Sequence, residues 1–183
     1  MAVPLVMIIS FGLYSVLTWI QSRKSAPMYY ILYTIFYLVS FTYFIDAYFI
    51  HVPNHNSQYW NYGYKQVVEK ITPIQSNYKN IIVEQSYAQP YIYFLFFQKY
   101  DPVKYQKQAE LTKTANTSDV GLVGKLDNIQ FVQMDWSQTR NTHGALVIVN
   151  GTTPIPNDMK YTEISKVDYL NGRDSAFEII QIQ

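Results

Sequence analysis

From Ala2 to Ile20 the chain reads AVPLVMIISFGLYSVLTWI without a charged residue, and from Pro27 to Ile50 the only charge is Asp46. An α-helix needs roughly 20 predominantly apolar residues to cross the hydrocarbon core, so both stretches are predicted to span a bilayer. A cleaved signal peptide would open with a positive segment, and Met1-Ala2-Val3-Pro4 offers none. Tyr is frequent in the second stretch and suits a membrane interface, where its ring is apolar and its hydroxyl stays wet.

Arg23 and Lys24 lie between these stretches and are the only basic residues flanking either one. The positive-inside rule therefore places the loop 21–26 in the cytoplasm and everything after about residue 50 outside it. The expected organisation is two transmembrane helices in residues 1–50, followed by an extracytoplasmic α/β domain in residues 51–183. Asp46 falls near the outer end of the second span, where it can reach headgroup water. His51 and His55 have the spacing of a helical metal pair, but Pro53 between them is expected to break that helix, so no metal site is assigned.

A third apolar run, Tyr91 to Phe97, is too short to span. Pro90 suits a first helical turn and Asp101-Pro102 favours a break, which predicts a short core helix. Before it, Gln58 to Ile71 places Trp60, Tyr64, Val67, Val68 and Ile71 on one helical face, ended by Thr72-Pro73. Gly63 inside that helix would cost about 1 kcal/mol and implies close packing.

NIIVEQ, residues 80–85, is a β-branched run with the pattern of a buried strand. A strand, a loop and a helix start in succession are where α/β proteins commonly hold ligands. On that ground Glu84, Gln85, Tyr87 and Gln89 are the candidate substrate-binding residues, although the plainer role for all four is capping and packing. After another helical turn or two in DPVKYQKQAE, residues 111–128 read as a polar surface excursion. Its GLVG lacks the ending of a phosphate loop.

Three or four strands follow, in IQFVQMDW, GALVIVNG, EISKVDYL and AFEIIQI, with Asn171-Gly172 supplying a hairpin turn between the last two. The result is a small α/β domain of roughly 125 residues, enough for one core. Asn116-Thr117-Ser118 and Asn150-Gly151-Thr152 match the glycosylation acceptor pattern and receive no function. Asp135, Ser137 and His143 are too close in sequence to make a triad by that fact alone.

The formal net charge is +1, without a basic stripe, which argues against general nucleic-acid binding. The chain has no cysteine, which removes disulfides, thiolate catalysis and cysteine-based metal sites. No cofactor is assigned, and the expected partner is membrane lipid.

Several stretches together resemble the C-terminal end of the GT-C membrane glycosyltransferases, the family 39-like and ArnT-like enzymes that use polyprenyl-phosphate sugars. They are the short basic turn, the aromatic span running into YFIHVP, then WNYGYKQVVEKI, IIVEQSYAQPYIYFLFFQKYDPVKYQ and VDYLNGRDSAFEIIQI. The resemblance implies a last membrane helix leading into a small extracytoplasmic α/β domain that caps the active-site face and helps shape the acceptor site. Its partners would be a polyprenyl-phosphate sugar, an acceptor, and the missing N-terminal transmembrane helices or a partner subunit. The family's catalytic acid lies in an early outer loop to which nothing here corresponds, so no catalytic residue is carried over. The expected function is a fragment of a glycosyltransferase, catalytically incomplete alone. The alternative is a stand-alone two-span protein whose outer domain is a binding or assembly module, and a hydrolase lacks a nucleophile arrangement to support it.

Overall fold

A computed structural model describes residues 2–21, 26–85, 89–109, 111–112 and 122–183. The chain divides into two compact units, Met1–His51 and Val52–Gln183.

The first unit holds α1 (Ala2–Gln21) and α2 (Ala26–Asp46), followed by a π-helical turn, Ala47–His51. Both helices are long and apolar enough to cross a membrane. Nearly all their large apolar side chains are exposed, Phe11, Phe36 and Tyr43 among them. An apolar surface of that extent is unstable in water and calls for an apolar surrounding. Within the helices, Ser10, Ser15, Thr34 and Thr42 each donate their hydroxyl to the carbonyl four residues back, at 2.8 to 2.9 Å. Their polar groups are thereby satisfied without solvent. Asp46 faces His51 across the π turn, with Oδ2 3.2 Å from Nε2. The loop carrying Arg23 and Lys24 lies outside the described residues.

The second unit opens with α3 (Val52–Asn56) and a 3-10 turn, Ser57–Trp60. Pro53 therefore does not break a helix as expected. Helical backbone runs on without a gap from α2 through the π turn and α3, so Pro53 is accommodated just after the point where the helix widens. The next helix, α4 (Tyr64–Ile71), is also shorter than the spacing predicted. Gly63 precedes it at φ +101°, a backbone region that glycine enters without strain, so Trp60 falls outside the buried face. A Cβ at Gly63 would lie 2.8 Å from the Phe177 ring, which explains the close approach there.

The strands are β1 (Ile81–Glu84), β2 (Leu111–Thr112), β3 (Leu122–Val123), β4 (Lys125–Leu126), β5 (Ile129–Val132), β6 (Leu146–Asn150), β7 (Tyr161–Asp168) and β8 (Ser175–Ile182). The intervening helices are α5 (Pro90–Phe97), α6 (Pro102–Gln108) and α7 (Trp136–Thr139). Six strands form one mixed sheet in the order β4-β5-β1-β6-β8-β7, and β2 pairs with β3 apart from it. In the middle, β1 runs parallel to β5 and to β6, while the flanking pairs are antiparallel.

Strand alternation divides the core between the two faces of this sheet. Ile81, Val83, Ile129, Phe131, Leu146, Ile148, Phe177 and Ile179 pack with Tyr64, Val67, Val68 and Ile71 of α4 and Tyr91 and Phe94 of α5. Ile82, Val147, Val149, Ile180 and Ile182 form the other face, covered by Trp136, Ile155 and Met159. Covering on both faces explains why β1 and β6 read as unbroken apolar runs. Tyr64 and Tyr93 stack at 4.4 Å between ring centroids, fixing α5 on α4.

The excursion at residues 111–128 holds a hairpin where none was expected. Asp127 at φ +53° turns β4 into β5, and the side-chain amide of Asn128 donates to the carbonyls of Gln75 and Tyr78 at 2.9 and 2.8 Å.

Candidate functional site

The topology singles out one edge of the sheet. From β1 the chain passes to one side to make β5, then returns across β1 to make β6 on the other side. The C-terminal ends of β1 and β6 therefore form a switch point, the position where α/β sheets commonly hold ligands.

Glu84 closes β1 at this edge and is only 7% exposed. Its Oε2 accepts the backbone N–H of Asn150 at 2.7 Å, and the Thr153 hydroxyl lies 2.7 and 2.9 Å from its two oxygens. A buried carboxylate is costly unless hydrogen-bonded, and these donors meet that requirement from the end of β6 and the turn after it. The turn is itself set by Asn150, whose Oδ1 accepts the N–H and hydroxyl of Thr152 at 2.9 and 2.6 Å. Gly151 is required between them, because a Cβ there would lie 2.1 Å from the Ser175 carbonyl oxygen.

Gln85 follows on the face covered by α4 and α5. Its backbone N–H donates to the Val132 carbonyl at 2.8 Å, while its side-chain Nε2 is buried with no hydrogen-bond partner among the described residues. Orphaned amide donors of this kind are uncommon and each calls for an acceptor. Gln133, exposed at the end of β5, reaches the Gln85 carbonyl at 3.5 Å. Gln89 immediately precedes α5, but its side chain does not cap the helix and instead accepts the Tyr91 hydroxyl at 3.2 Å. Tyr87 lies outside the described residues.

Two tyrosines stand close to this edge. Burial, with lesser contributions from Tyr93, Glu84 and Tyr169, holds the Tyr64 hydroxyl well above its ordinary range, so it stays neutral at every physiological pH. Burial and then Tyr105 push Tyr91 upward as well. Neither is a ready base.

Asn150 and Thr153 are the residues that sequence reasoning missed. Their signal is an Asn-Gly-Thr-Thr stretch closing an apolar strand, which the sequence alone reads as a chance glycosylation triplet at a strand end. Asp135, Ser137 and His143 form no triad. The Ser137 hydroxyl and N–H both donate to Asp135 Oδ1, at 2.7 and 2.9 Å, in a helix cap, while His143 Nδ1 lies 2.8 Å from the Gln183 carbonyl.

Chemically, the switch-point edge holds a buried carboxylate satisfied within the protein and, one residue on, a buried amide donor with no partner among the described residues. A cavity of about 240 Å³ opens at the opposite edge, beside Arg140, His143, Asp158 and Lys160, with Arg140 held by Asp158 at 3.0 Å. It is remote from the chain crossing that defines the switch point. Among the described residues, no group of three or more His, Asp or Glu is placed to hold a metal. Compared with protein-family models, curated proteins and solved structures, the chain matches none.

Proposed function

We propose that this chain is the C-terminal part of an integral-membrane glycosyltransferase using a polyprenyl-phosphate sugar, with its α/β domain on the extracytoplasmic side helping to shape the acceptor site. The observation that carries this reading is that the polar cluster shares its sheet edge with the start of α4. Gly63 meets Phe177, Phe177 pairs with Asn150, and Asn150 donates to Glu84. The segment leading from the apolar helices therefore arrives at the same edge as Glu84 and Gln85. In this proposal a lipid-linked sugar presents its hydroxyls to that edge.

In this reading the chain binds and positions, and the transfer chemistry belongs to residues beyond it. Glycosyl transfer from a lipid phosphate needs a base beside the acceptor hydroxyl and a site for the departing phosphate. Among the described residues Glu84 is the only buried carboxylate, and both its oxygens already accept hydrogen bonds within the protein.

A second reading, a stand-alone two-span protein with a binding or assembly module, is favoured by the closed core. The principal cluster runs from Tyr62 to Ile179 without help from α1 or α2. One experiment separates the two. The protein is tagged at its C-terminus, purified from its native membranes in mild detergent, and incubated with polyprenyl-phosphate-linked radiolabelled sugars. Release of free polyprenyl phosphate together with acceptor labelling supports the glycosyltransferase. A preparation that contains this chain as a folded protein and turns over no lipid-linked sugar favours the module.

A further inference from the structure

The second unit has a well-filled core, yet it leaves several of its largest apolar side chains in the open. Tyr59 is 75% and Trp60 74% exposed in the 3-10 turn that leads into α4, and Ile92 and Phe96, one turn apart on α5, are 46% and 73% exposed. The two helices lie side by side and point the same way. Tyr64 stacks on Tyr93 near their starts, and Gln98 Nε2 donates to the Thr72 hydroxyl at 3.3 Å near their ends. Their N-termini consequently share the switch-point edge of the sheet, with Tyr59 and Trp60 beside it.

We infer that this aromatic edge seats in the headgroup layer of a phospholipid bilayer. The inference rests on α1 and α2 lying in that bilayer and is independent of glycosyl transfer. The tether argues for this occupant. Only eight residue steps separate His51, the last of the apolar unit, from Tyr59. At no more than roughly 3.6 Å per residue, they hold the edge within about 29 Å of the helix end. The chemistry argues for it too. Tyr and Trp combine an apolar ring with one hydrogen-bonding group and collect at membrane interfaces. Neither the stretch from Val52 to Gly63 nor α5 contains an acidic or permanently charged residue that lipid would exclude.

The test uses the full chain in phosphatidylcholine vesicles. With Trp19→Phe and Trp136→Phe, Trp60 becomes the only tryptophan, and its emission is followed as lipids brominated near the headgroup end of the acyl chain are introduced. The expected result is a shift to shorter wavelength than in the unfolded chain and a fractional quenching comparable to that of Trp19, read in a companion protein carrying Trp60→Phe and Trp136→Phe. Introducing Ile92→Ser with Phe96→Ser, both at exposed positions, is expected to make Trp60 more accessible to aqueous iodide. Quenching of Trp19 without quenching of Trp60 overturns the inference while leaving the helices in the membrane. Quenching of neither overturns the inference together with the membrane reading of α1 and α2.

Discussion

Glu84 at the end of β1 accepts the backbone N–H of Asn150 at the end of β6 at 2.7 Å, joining two parallel strands where the chain has crossed from one side of β1 to the other. This bond and the Thr153 hydroxyl leave the carboxylate buried but satisfied. The same residues thus stabilise the edge and give it its polarity, and the predictions concern how far each role depends on them.

Thr153→Val keeps the shape of the side chain but removes one of the two groups that donate to Glu84. Leaving a buried polar group short of a partner costs about 1–3 kcal/mol, so unfolding of the α/β domain should occur at correspondingly lower urea. Near-ultraviolet circular dichroism of the detergent-solubilised protein reads the transition. An unchanged midpoint would mean that water supplies the lost bond.

Gly151→Ala drives a methyl group toward the Ser175 carbonyl, 2.1 Å from the ideal Cβ position, and the obstacle is backbone rather than a side chain that can swing away. The expected loss is about 1–3 kcal/mol, the usual cost of forcing extra atoms into a packed site. Gly124→Ala is the comparison, since nothing lies within 4 Å of its added methyl group. Thermal unfolding should separate the two variants, and equal melting temperatures would contradict the close approach.

Asp127 supplies a pH-dependent contribution. Burial works to raise its pKa, but hydrogen bonds from Lys104 and Tyr100, the Lys104 charge and Gln108 outweigh it and hold the carboxyl below its ordinary value of 3.8. A folded-state value below the unfolded one stabilises the protein above the unfolded value and is lost as pH falls through the folded one. Stability from this group is therefore complete at neutral pH and decays below about pH 3.8. Tyr100→Phe removes one donor and should move the acid unfolding limb to higher pH in a titration followed by tyrosine and tryptophan fluorescence.

Orientation is testable because the chain has no cysteine. Ser76→Cys, at an exposed position of the α/β domain, should react with a membrane-impermeant maleimide in intact cells. Ser25→Cys should react only after permeabilisation. The opposite pattern would put the domain in the cytoplasm and remove the basis for an extracytoplasmic role.

Much of the fold is legible in periodicity. The apolar runs of β1, β6 and α5, the stop at Thr72-Pro73 and the Asn171-Gly172 turn all signal locally what the chain does there. What escaped reading depends on tertiary context. Gly63 looks like a tolerated glycine within a helix until the Phe177 ring is placed against it, and only then does the helix have to begin at Tyr64. Asp127 looks like part of a polar excursion until Lys104, Tyr100 and Gln108 gather around it. At this edge, Glu84 and Gln85 stand out in the sequence because a strand end precedes a helix. Asn150 and Thr153 lie more than sixty residues further along, and only the parallel pairing of β1 with β6 brings them to Glu84.

The central claim is that the Glu84 edge of the α/β domain meets a lipid-borne saccharide. The most direct measurement replaces exposed Gln133, beside Gln85 at that edge, with a photo-reactive benzoylphenylalanine and irradiates native membranes supplied with a radiolabelled polyprenyl-phosphate sugar and its acceptor. The account predicts a labelled adduct at position 133 and none when the same group replaces Lys160, which is exposed at the opposite edge. Equal labelling at both positions, or labelling at Lys160 alone, would contradict it.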